Sequence, residues 1–61
     1  MKYTSQDYLK KTLLDTQERV RDFMRFSHEM PDGELRRFFG RYAESEAEHA
    51  TALHNFIEQS K

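Results

Sequence analysis

Apolar residues recur along this chain at intervals of three and four. In the first half Leu9, Leu13, Val20, Phe23, Met24 and Met30 gather on one side of a helical wheel, with Thr16 and Ser27 inside the stripe and Gln17 at its edge. The second half is more regular: Leu35, Phe38, Phe39, Tyr42, Ala43, Ala50, Leu53, Phe56 and Ile57 follow the i, i+3, i+4, i+7 spacing of an amphipathic helix. Strand alternation fits neither half. Between them, Met30-Pro31-Asp32-Gly33 holds the only Pro and one of the two Gly. Pro31 disfavours a helical Met30, Asp32 can accept from the first N–H groups of a new helix, and Glu34 suits its positive end. The pattern predicts one helical-hairpin domain over 1–61. Helix 1 runs over about 5–29 from the capping box Thr4-x-x-Asp7, the turn over about 30–33, and helix 2 over about 34–60.

Two such helices, each roughly 37 Å long at 1.5 Å per residue, joined by a short turn, form an antiparallel pair. A pair alone cannot cover both stripes. At 61 residues a single core gives marginal stability, and the chain has no Cys to staple it, so metal binding or self-association remains. The expectation is an all-α fold in which the hairpin dimerises into a four-helix bundle, as a homodimer or a higher even oligomer.

Charge narrows the partners. Ten Lys and Arg against eleven Asp and Glu, interspersed, leave a net charge of -1 and no basic footprint for nucleic acid. The N-terminal MKYTSQDY lacks the apolar core of a signal peptide, and apolar residues never run beyond two in a row, so neither export nor a membrane span is expected. Cytoplasm is the default location. A mean hydropathy of -1.02 is low. The aromatic content of 13% and the periodicity nevertheless argue for a folded chain.

Two polar residues interrupt the apolar stripe of the second helix. Glu46 and His49 both fall within about 40° of its centre, among Tyr42, Ala43, Ala50 and Leu53, whereas Glu44 and Glu48 point elsewhere. Burying a carboxylate or an imidazole without a partner costs several kcal/mol, so the position needs a cause. Side chains at i and i+3 share a face and can hold one hard or borderline cation, such as iron, manganese or zinc. The alternative is a Glu–His hydrogen bond, or a core His satisfied by Tyr42 or by its symmetry mate. His28 beside the turn and His54 off the stripe read as surface residues, and Arg19-x-Arg21-Asp22 as a solvated face.

Residues 34–50, ELRRFFGRYAESEAEHA, resemble the second helix of a rubrerythrin- or ferritin-like half-domain, and residues 17–24, QERVRDFM, resemble its first. In that family a helix pair with Glu on the first helix and E-x-x-H on the second is used twice around a carboxylate-bridged di-iron site. Single-pair members, such as encapsulated ferritins, complete the site by dimerising. The resemblance implies that Glu46 and His49 are metal ligands at a dimer centre, for iron oxidation or storage. Gln17 stands where the family has its first-helix Glu, and a neutral carboxamide cannot bridge two metals as a carboxylate does. Glu18, the neighbouring acid, lies nearly opposite the stripe centre and reads as a solvated side chain. Two expectations follow: a ferritin-like metal-binding protein holding iron, or alternatively manganese or zinc; or a non-catalytic dimeric helical interaction module whose degenerate site holds no cofactor.

Overall fold

The computed structural model of the chain describes residues 3–59 and is all-helical among them, with two helices packed against each other. The predicted last residue of the second helix, 60, lies outside the described residues. Helix α1 spans Ser5–Glu29 and helix α2 spans Gly33–Gln59. No helix among the described residues is long and apolar enough to cross a membrane.

Local chemistry sets the ends of α1. The Thr4 hydroxyl accepts from the Asp7 N–H at 3.2 Å while the Asp7 carboxylate accepts from the Thr4 N–H at 2.9 Å, so two orphan donors are satisfied reciprocally. The backbone N–H bond of Thr4 is the main cause holding the Asp7 carboxyl below its ordinary value. At the other end Met30, extended as the residue before Pro31 must be, still donates its N–H to the Phe26 carbonyl at 3.0 Å. The Arg36 guanidinium reaches back to the Met30 carbonyl at 2.5 Å, and Asp32 accepts from the Glu34 N–H at 3.0 Å to open α2.

Two further contacts tie the helices together antiparallel. Near the turn the Ser27 hydroxyl donates to the Arg36 carbonyl, and at the far end the Gln6 amide donates to the Ile57 carbonyl. Between the turn and the middle, Phe23, Phe26, Phe39 and Tyr42 interlock, with the Phe23 and Tyr42 rings edge-on at 4.6 Å. Phe26, outside the expected stripe, enters this cluster because it follows Phe23 by three residues and so lies beside it.

The hairpin is one helix deep, with Cα extents of 45 × 23 × 11 Å. Such a slab has two broad faces and little inside. Ala43 and Ile57 are the only buried apolar residues among those described, while Phe38, Tyr42 and Phe56, expected in the core, are each about half exposed in the single hairpin. A compact 7.4 kDa monomer should expose roughly 4,200 Å² by the usual size scaling. This chain exposes 5006 Å². The excess of roughly 800 Å² equals what a standard interface removes from each partner.

Candidate functional site

The polar residue buried midway along α2 is Glu46. Its place in the wheel, three residues after Ala43 and eleven before Ile57, turns it toward α1 along the line on which those two apolar residues are buried. The side chain is 11% exposed, so its charge requires partners. It has two. The Arg19 Nε donates to Oε2 at 2.5 Å, and the His49 ring meets Oε1 through Nδ1 at 2.9 Å.

His49 donates when its proton sits on Nδ1, the tautomer an ionised Glu46 favours, and this leaves Nε2 uncommitted to Glu46. The side chain is 69% exposed, not buried as its expected place near the stripe centre implied, because in one hairpin that part of the stripe lies beyond the reach of α1. Hydrogen bonding from His49, then from Arg19, pulls the Glu46 carboxyl below its ordinary value against the opposing effect of burial. Reciprocally, the bond to Glu46 raises the already high value of Arg19.

Thr16 completes the constellation. It is the most deeply buried polar residue of the described chain, and its hydroxyl accepts from the Arg19 guanidinium at 3.1 Å. The open groove beside Glu46 and His49 is walled by Thr12, Thr16, Arg19, Leu53 and Phe56, and on the turn side it continues past Phe38 and Tyr42. Thus the first-helix residues that face the E-x-x-H pair are Thr16 and Arg19.

Gln17 and Glu18 lie elsewhere. Gln17, exposed, lines a separate groove with Val20, Arg21, Ala47 and Ala50, and Glu18 is exposed. Arg19 was missed at the sequence level because a charged residue among Arg21 and Asp22 reads as solvated face. The findable signal was its spacing from Thr16: a residue three positions on from a stripe residue can reach back along the helix with a long side chain.

Chemically, the cluster is a carboxylate held by a guanidinium on one oxygen and an imidazole on the other. No group of three or more His, Cys, Asp or Glu side chains suited to a metal ion occurs among the described residues. Within one hairpin, then, the residues do not fit a metal ion: two donors of metal-binding type are present, and the anionic one already carries a cation. No protein-family model matches the sequence, and neither a curated protein nor a solved structure matches it.

Proposed function

We propose that the protein acts in the cytoplasm as a self-associating helical module. Two hairpins pair through the face bearing Phe38, Tyr42, His49 and Phe56 into a four-helix bundle, with Glu46 held by Arg19 as an internal ion pair. One observation carries this reading: the single hairpin exposes about 800 Å² beyond the surface of a compact protein of its mass, with large aromatic side chains on that face. A second copy is the occupant proposed, because a twofold axis sets the same patch of both chains face to face and would cover the half-exposed aromatic stripe of each with that of the other. The test is mass by light scattering over a concentration series. A dimer of about 15 kDa that loses helicity on dilution supports the reading, and a compact, fully helical 7.4 kDa particle at nanomolar concentration overturns it.

The second reading, a ferritin-like site for iron, manganese or zinc at the centre of such a pair, is favoured by one specific observation. Glu46 and His49 are already in contact, and the exposed ring of His49 lies on the face that a second copy would cover. It requires donors from two chains and a carboxylate freed from Arg19. Elemental analysis of protein expressed in iron-supplemented medium separates the readings: stoichiometric metal supports the second, and metal-free dimers support the first.

A further inference from the structure

The aromatic face also carries charge, and the sign differs between its two helices. On α2 the face bears Arg41 and His49 beside Phe38 and Tyr42. On α1, Thr12 and Arg19 wall the same groove, and the residues three or four positions from them share their side: Tyr8, Asp15, Asp22 and Phe26. Besides Glu46, Asp15 also raises the value of Arg19, as a neighbour on that side must. Both acids are half-buried, and each is paired on its own helix through one oxygen, Asp15 with Lys11 at 2.6 Å and Asp22 with Arg25 at 3.5 Å.

The two helices run in step: Arg19 meets Glu46, Phe23 meets Tyr42 and Phe26 meets Phe39. By the same count Tyr8 stands level with Ile57, beside Phe56, and Asp15 with Ala50, beside His49. Asp22 stands level with Ala43, within a turn of Arg41, and Phe26 is beside Phe38. Along the face, α1 thus reads aromatic, acid, acid, aromatic where α2 reads aromatic, base, base, aromatic.

We propose, resting on the reading that two hairpins pair through this face, that the twofold axis runs parallel to the helices, so that α1 of each copy lies antiparallel over α2 of the other and sets Asp15 against the partner's His49 and Asp22 against the partner's Arg41. Rotation about such an axis keeps every residue at its own level, so symmetry leaves no axial offset to choose. Tyr8 then meets the partner's Phe56 and Phe26 the partner's Phe38, with the unlike charges between these aromatic contacts. The competing axis crosses the helices at the middle of the stripe and lays α1 on α1. It brings Asp15 against the partner's Asp22 and Arg41 toward the partner's His49, and like charges face to face oppose association.

The experiment is sedimentation equilibrium at low ionic strength on wild type, Asp22→Arg, Arg41→Asp and an equimolar mixture of the two variants, with circular dichroism on each sample. Each variant alone should weaken self-association about tenfold or more, because a twofold dimer holds the reversed contact twice. The mixture should recover wild-type affinity, since a mixed pair opposes unlike charges at both contacts. Tighter association of Asp22→Arg, expected where α1 lies on α1, overturns the proposal, as does a mixture no tighter than its components. Should either variant unfold, a nitroxide attached through Glu34→Cys, in a chain with no other cysteine, decides without a change on the face. The turns of the two copies then lie at the same end of the dimer, so the labels should stand closer than two-thirds of the 45 Å hairpin length, and a longer separation overturns the orientation. A wild type that stays monomeric refutes the pairing itself, whereas a wild-type dimer with an unrestored mixture refutes only the orientation.

Discussion

Phe38→Ala is the sharpest test of the pairing face. The ring lies on α2 against Phe39 and near Tyr42, yet 49% of the residue is exposed in the single hairpin. A phenylalanine offers roughly 200 Å² for burial, so roughly 100 Å² remains for a second copy to cover. At about 25 cal/mol per Å² that is about 2.5 kcal/mol per chain, of which alanine would forfeit about 2. A twofold interface counts the loss twice, about 4 kcal/mol per dimer, which weakens association roughly a thousandfold. Sedimentation equilibrium from nanomolar to millimolar concentration reads this directly, with Glu44→Ala as a control off the face. A dissociation constant within threefold of wild type for Phe38→Ala would place the interface elsewhere, and an equal effect from Glu44→Ala would show that the variants act on folding.

Four other outcomes test the fold and the ion pair. Thr4→Ala removes the capping hydroxyl and should cost about 1 kcal/mol, a fall in Tm of about 4–8 °C in a calorimetric scan; an unchanged Tm would mean that the α1 cap contributes nothing. Ile57→Ala should cost about 2–5 kcal/mol in a denaturant titration, because that side chain is one of the two buried apolar residues among those described; a loss under about 1 kcal/mol would remove it from the core. Gly40→Ala should stabilise the hairpin by up to about 1 kcal/mol, since the added Cβ would stand 3.6 Å from the Ser27 Oγ, an ordinary contact. Destabilisation there would indicate a closer approach of the helices. Glu46 has a folded-state carboxyl below its ordinary value, so its contribution is present above that value, near 4.5, and is lost as pH falls through the lower one. Acid titration of Tm should therefore show a fall below about pH 4.5 that flattens in Glu46→Gln, and an identical acid limb in both proteins would assign the loss to other carboxylates.

The helices were legible in the sequence because everything that makes them is local. Thr4 and Asp7 cap each other three residues apart, Pro31 stops one helix, Asp32 starts the next, and the i, i+3, i+4 spacing identifies which residues share a side. The unusual character of Glu46 was also legible, as a carboxylate on an apolar stripe. Its partners on the other helix were not. Periodicity gives the angle of each residue about its own axis, but not the rotation and axial offset with which one helix settles on another, and a shift of one residue turns the facing side chain by about 100°. The position opposite Glu46 therefore passed from Gln17, on the resemblance, to Thr16 and Arg19 in the packed hairpin. Exposure followed the same logic: the wheel ranked Phe38, Tyr42 and His49 with Ala43 and Ile57, and only the shape of a slab one helix deep decided that the latter are covered by α1 while the former face outward.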